Sequence, residues 1–410
     1  MKLPFSLLSL LFILPFIKLN ANTEVKIQKQ SITLIANELS VLVFDFPVNT
    51  LVVRSLNQVN SFDLDIRIAN KSYTIQSLDE HADSIQSNLL VFESNNSIEI
   101  QSKFSQMVEI IGMYVPPISP IIAQIHRRTS CEEPENIVPQ SVWRAGLPDP
   151  IPGRVKTTTH HCVVHHAASD NSNTNYTQLV RSFYTLHTQV NGWDDIGYNY
   201  LIAPNGDIYA GRDPELFFIQ QHNVQGAHFC SKNTNTMGVC LIGNYTQLAP
   251  SDTMMESLEK LLTWKYVLDT LMPTKSFPHP FPSGADLPSL VGHRDGCATQ
   301  CPGDSVYIRL SDFRNKLQDN FNACLPWVGS VRSYSSSSFK IYNNLNQWNI
   351  DGQNIEDIEV YNILGHKLDY TTIQTNENSI TIQIASNPSQ LLIFKIKQNA
   401  MLYSYKTFQF

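Results

Sequence analysis

Two short stretches of this chain hold the residue types that bind metals and move protons. One, Gly292 to Asp304, reads "GHRDGCATQCPGD" and places His293, Cys297 and Cys301 in a window too short for a core helix. The other, "VVHHAAS", is a strand that ends in His165 and His166. Side chains alternate along a strand, so those two imidazoles point to opposite faces and only one can look into a given cleft. Brought together, His165, His293 and Cys301 would offer two nitrogens and one sulfur. That donor set suits Zn2+, and three protein ligands with a vacant fourth position mark a catalytic rather than a structural site. The same residues also fit plainer roles: a tight disulfide between Cys297 and Cys301, a surface ion pair between Arg294 and Asp295, and core histidines satisfied by backbone. Spacing by itself leaves both readings open.

Other candidate chemistry is weaker. Asp194 and Asp195 resemble a carboxylate pair for glycoside hydrolysis, but adjacent extended residues face opposite ways, whereas retaining glycosidases need carboxyls about 5 to 5.5 Å apart across one bond. No HExxH stretch supplies the glutamate base of a zincin protease. Seven cysteines make an odd number, so at least one sulfur stays outside intramolecular disulfides.

The elements that must position these residues follow from periodicity. With 410 residues the chain is long enough for two to four domains. From residue 23 to 120 apolar residues recur with period two, most clearly in "FDLDIRI", which predicts an antiparallel, sandwich-like β domain. Its His81 has no neighbouring ligand type and reads as a surface residue. Residues 131–327 change texture to α/β. "NYTQLVRSFYTLHTQVNGW" predicts an amphipathic helix ended by Gly192, and "TMMESLEKLLTWKYVLDTL" predicts a second helix with Thr253 and Glu256 as a capping box. "YIRLSDFRNKL" supplies a third, and the Asn-Gly of "YNYLIAPNGDIYAGR" predicts a hairpin. The fold expected here is a central mixed sheet covered by helices. A serine-rich linker over 328–338 leads to a small C-terminal β domain, 339–410, patterned by Ile380, Ile382 and Ile384.

The order of motifs in the middle region resembles the zinc-dependent N-acetylmuramoyl-L-alanine amidases of the peptidoglycan recognition protein and phage-lysozyme type. The resemblance runs from about Ile137 to Leu317 and is carried by "IVPQSVWRAG", "VVHHAAS", "NGWDDIGYNYLIAPNGDIYAGRD", "QGAHFCSKNTNTMGVCLIGNY" and "GHRDGCATQCPGD". It implies zinc ligands at His165, His293 and Cys301, a catalytic cleft tyrosine at Tyr198, and a catalytic contribution from Thr299, two residues before the cysteine ligand. Members that only bind peptidoglycan typically lack that cysteine, and this chain keeps it. His228, in "GAHF", falls in a family block and is expected either to contact substrate or to be a structural histidine satisfied by backbone; His187 is expected to be structural. With Cys301 on zinc, Cys131, Cys162, Cys230, Cys240, Cys297 and Cys324 remain. Their pairing does not follow from the sequence, because the family's helix-anchoring cysteine pair is missing from "ASDNSNTNYTQLV". The expected activity is hydrolysis of the amide between N-acetylmuramic acid and L-alanine, with a peptidoglycan-binding module without turnover as the alternative.

The remaining expectations concern location and partners. "MKLPFSLLSLLFILPFIKLNAN" reads as a signal peptide over 1–22, since its apolar run falls short of the roughly 20 residues a spanning helix needs. No later stretch is apolar enough to span a bilayer, so a secreted or surface-attached protein is expected. "IEVYNILGHKL", "SITIQIA" and Lys406 resemble the sorting domain of the bacterial type IX secretion pathway, although the usual Tyr-Pro-Asn-Pro opening is reduced to "IYNNLN" and "SQLLIF" replaces a glycine-tyrosine turn. The resemblances imply peptidoglycan or muropeptides and a secretion machinery as partners. A net charge of -7 with pI near 5.9 gives no basic footprint for nucleic acid.

Overall fold

The computed structural model describes residues 24–57, 62–69, 71–75, 86–121, 131–216, 219–278, 284–329, 339–344, 347–362, 367–376, 378–384, 390–398 and 401–409. The stretch read as a signal peptide, His81, His279, His366 and residues 330–338 of the serine-rich segment lie outside them.

Six strands come first: β1 (Lys26–Leu34), β2 (Leu39–Ser55), β3 (Leu64–Ile68), β4 (Lys71–Ile75), β5 (Leu90–Ser102) and β6 (Gln106–Tyr114). They form one antiparallel sheet in the order β1-β6-β2-β5-β3-β4. The period-two pattern is literal in β3, where Leu64, Ile66 and Ile68 are buried while Asp65 and Arg67 are exposed. β2 is a shared inner strand: Leu39 to Val43, Val48, Thr50 and Leu51 pair with β5, with register shifts between, and Thr50 to Ser55 pair with β6. The Phe44 ring lies on Gly112 of β6, where an added Cβ would come within 2.4 Å of the ring. Leu42, Phe44, Ile66, Ile100 and Ile110 belong to one buried cluster on this sheet.

The second sheet is mixed. Its strands are β7 (Ile137–Val138), β8 (His161–His166), β9 (Tyr200–Ile202), β10 (Ile208–Ala210), β11 (Thr236–Leu241) and, after a two-stranded ribbon of β12 (Ser276–Phe277) and β13 (Leu287–Pro288), β14 (Leu290–Gly292). Their order is β14-β8-β11-β9-β10-β7. β8 runs parallel to both neighbours, and the β9-β10 hairpin turns at Asn205-Gly206 with Gly206 at φ +90°. Helices α1 (Gln140–Trp143), α2 (Tyr176–Thr185), α3 (Asp252–Leu268), α4 (Asp304–Tyr307) and α5 (Leu310–Gly329) cover it. α3 starts two residues earlier than the Thr253–Glu256 box implies. Ser251 caps it instead, its Oγ accepting from Met254 N at 3.2 Å, which leaves Thr253 inside the helix. α5 continues through Gly329, two residues into the segment read as linker.

The two sheets share a core. Leu179, Val180, Phe183 and Tyr184 of α2 pack in one buried cluster with Val52, Ile111, Met113 and Val115 of the first sheet. Two polar contacts cross that core: Thr50 Oγ1 lies 3.0 Å from Ser182 Oγ, and Gln178 donates to the Val115 carbonyl at 3.1 Å. Fully buried Arg181 donates to the carbonyls of Pro116, Trp143 and Ala145. Burial pulls its pKa down to about 10, so it stays charged at neutral pH. The C-terminal strands make two further four-stranded sheets around Trp348, Ile350, Ile382, Leu392 and Phe394.

Arg181→Met keeps the apolar stem and strips three buried carbonyls of their donor. It should cost about 3 kcal/mol in urea unfolding, with a single transition, since one core serves both sheets. A loss under about 0.5 kcal/mol, the range of neutral surface changes, would contradict this account of the interface.

Candidate metal centre

β8 is buried along all six residues, as a central parallel strand covered on both faces must be. Its C-terminal end is where open α/β sheets place their sites. Cys162 and Val164 face the α3-α5 core, whereas Val163 joins Phe229 and Val291 on the other face, and His165 follows on that side. Next door, β14 ends at Gly292, paired beside Val164, so the chain enters the His293–Asp295 turn next to His165. Asp295 locks the turn by accepting from Gly292 N at 2.8 Å, and Arg294 N donates to the Cys301 carbonyl at 3.0 Å, folding the cysteine back over the histidine.

The result is convergence. His165, His293 and Cys301 are 0%, 1% and 1% exposed, and their ligand atoms all lie within 4.8 Å of one another, a group that can hold a metal ion. Cys301 Sγ lies 3.7 Å from His165 Nδ1. With metal-nitrogen and metal-sulfur bonds of about 2.0 and 2.3 Å, a tetrahedral zinc separates such ligands by roughly 3.6 Å, so the residues present fit that ion. The His166 amide donates to Cys301 Sγ at 3.3 Å, a bond that favours the thiolate form a ligand needs. His166 itself turns to the opposite side, as strand alternation requires, and its Nδ1 accepts from Tyr245 N at 3.2 Å.

The other expected site residues divide. Tyr198, 5% exposed, stands at the entry to β9 with its ring 5.3 Å from that of His165. Thr299 Oγ1 accepts from Cys301 N at 2.9 Å, which fixes the ligand loop and leaves the hydroxyl proton to donate elsewhere. His228 is an interior residue. It is 2% exposed, and its Nδ1 lies 3.0 Å from His165 Nε2, so it sits behind the proposed ligand rather than on an open cleft wall. Gly226 and Gly238 make room for it: a Cβ on either would come within 2.5 Å of the ring. Imidazoles that bind metals characteristically engage their second nitrogen this way. His187 stacks on Trp193 at 4.5 Å and accepts from Gly197 N. Asp194 and Asp195 are both taken up by Arg154, and Asp194 also by Arg212, so they form a structural ion network. His222 accepts from buried Lys265 at 2.9 Å; burial and that ammonium push its pKa down to about 3.

Disulfides were the part of the site hidden from the sequence. Cys131 pairs with Cys324 across 193 residues and Cys230 with Cys297 across 67. Cys297 therefore does not bridge to Cys301, and Cys162 and Cys240 are buried thiols. The Cys230 sulfur lies 3.9 Å from His293 Nε2.

With this geometry in place, comparison with known proteins gives a consistent picture. Residues 155–304 match the family model described as N-acetylmuramoyl-L-alanine amidase. An N-acetylmuramoyl-L-alanine amidase from Sus scrofa is 34% identical over 131 residues, which is 32% of this chain and only 19% of that protein's length. Peptidoglycan-recognition protein SD from Drosophila simulans is 26% identical over 181 residues, covering 44% of this chain and 86% of the relative. Among solved structures, Drosophila peptidoglycan recognition protein SD is similar at 26% identity over 44% of this chain and 94% of its own, with a TM-score of 0.35. Among the described residues no helix is long and apolar enough to cross a membrane.

His228→Phe preserves the ring but removes the Nδ1 contact to His165. It should weaken zinc binding roughly 10- to 100-fold in chelator competition, and Gly238→Ala should act in the same direction by displacing that ring. Unchanged affinity in both would refute the positioning role.

Proposed function

We propose that this chain is an exported zinc-dependent N-acetylmuramoyl-L-alanine amidase that cuts the amide bond between N-acetylmuramic acid and L-alanine in peptidoglycan or muropeptides. The observation that carries this reading is the convergence of His165, His293 and Cys301 at the end of β8. The family match over 155–304 and the amidase from Sus scrofa support the reaction class.

A zinc ion held by the three ligands would activate water near neutral pH and polarise the scissile carbonyl. The chain's own residues do the rest of the work we assign. His228 keeps the His165 ring aimed through its 3.0 Å contact, and the His166 amide stabilises the Cys301 thiolate. Tyr198 directs its hydroxyl at the oxygen on which charge develops, and Thr299, with its lone pair already committed to Cys301 N, donates its proton to the same region. The walls are low in dielectric because β8 and its neighbours are buried, which strengthens each of these bonds. In this reading residues 131–327 form the catalytic unit, the first sheet braces it, and the C-terminal sheets serve the secretion machinery as an export tag.

The test is release of new amino groups from purified cell wall. The wild type should release them, lose activity on chelation and regain it with zinc; Cys301→Ala should bind zinc far more weakly and lose turnover. Tyr198→Phe should keep its zinc and lose about 100-fold or more in rate. Wall binding without amine release by the zinc-loaded wild type would replace the hydrolase with a recognition module.

A further inference from the structure

His293 belongs to two groups of metal-binding residues. Besides His165 and Cys301, its ring lies with Cys230 and Cys297, whose ligand atoms also all fall within 4.8 Å of one another. Cys230 Sγ is 3.9 Å from His293 Nε2. In this structure the two sulfurs are joined as a disulfide and have no charge to offer a cation. We propose that reduction of Cys230–Cys297 creates a second metal site, Cys230, Cys297 and His293, that competes with the His165, His293 and Cys301 site for the shared imidazole. The proposal rests on the reading of His293 as a ligand.

The chemistry is balanced by an external dithiol. The bond between the two sulfurs breaks as they take up two electrons and two protons, and the dithiol closes to its own disulfide. Binding a divalent ion then releases those two protons from the thiols. Two thiolates and one imidazole form a softer set than one thiolate and two imidazoles, and soft ligands select zinc and cuprous ions. A neutral imidazole has a single acceptor nitrogen, so His293 ligates one ion at a time. The two sites are therefore alternatives, and the covalent state of the sulfur pair selects between them.

Access favours this pair over the other disulfide. Cys230 is exposed and Cys297 half-buried, whereas Cys324, in the bridge to Cys131, is 1% exposed. The remaining thiols, Cys162 and Cys240, are both fully buried. Cys162 is fully buried, with its pKa pushed up to about 12 by that burial, and so is not a thiolate at neutral pH.

Cobalt titration of the full chain, read by the thiolate-to-cobalt charge-transfer absorption, tests the idea. Cys301→Ala removes the only sulfur of the first set. In its oxidised form it should bind cobalt without that absorption, and after dithiol reduction the band should appear. It should stay absent from reduced Cys301→Ala/Cys230→Ser/Cys297→Ser. With one equivalent of cobalt, reduction of the wild type should raise the band about twofold, as two thiolates replace one, and Cys230→Ser/Cys297→Ser should show no rise. The absence of any difference between the reduced single and triple variants, together with no rise in the reduced wild type, overturns the proposal. A band in oxidised wild type depends on Cys301 alone, so its absence counts against the proposed amidase site and leaves this second test standing.

Discussion

The clamp on the His165 ring is the constraint on which the rest of the structure depends. One nitrogen faces Cys301 Sγ at 3.7 Å and the other faces His228 at 3.0 Å, so the ring is held at both nitrogens. It is carried on a strand buried on both faces and hydrogen-bonded on both sides, which fixes the backbone beneath it. The loop that brings His293 and Cys301 does not have this rigidity by itself. It acquires it from Asp295, Arg294 and Thr299, each closing a bond within the loop, and from the Cys230–Cys297 bridge to the segment that bears His228. In the proposed reading, a centre preorganised in this way would keep the three candidate ligands in place while a fourth position is exchanged.

Further support reaches the site from the first sheet. Its apolar face and the α2 stripe form one core, with Arg181 tying three carbonyls from the surrounding loops. α2 continues into a π-helical turn, Leu186–Val190, that seats His187 on Trp193 and caps Gly197. Gly197 must be small, since a Cβ there would come within 2.6 Å of the Ala227 carbonyl. That close approach sets Tyr198 beside His165 and brings the His228 segment alongside. The N-terminal sheet is thus mechanically continuous with the wall that carries Tyr198 and His228.

Much of this was legible in the sequence because it is local. Period-two alternation in "FDLDIRI", the Asn-Gly hairpin and the His-His ending of β8 each express a rule that acts over a few residues. Two nitrogens and a sulfur on separate segments gave the donor set before any fold did. What stayed hidden depends on long-range geometry. Pairings across 67 and 193 residues have no local signature. The inward turn of His228 depends on Gly226 and Gly238 leaving space on two different elements, which spacing along the chain does not encode. The shared core was hidden for a similar reason: an apolar face announces that it will be covered, and not by what.

The most direct test of the account is zinc X-ray absorption on the oxidised wild-type protein loaded with one equivalent of zinc. The account predicts one sulfur and two imidazole nitrogens around the ion, with a light atom completing the shell, and loss of the sulfur contribution in Cys301→Ala. A shell with no sulfur, or one whose sulfur survives that substitution, would contradict it.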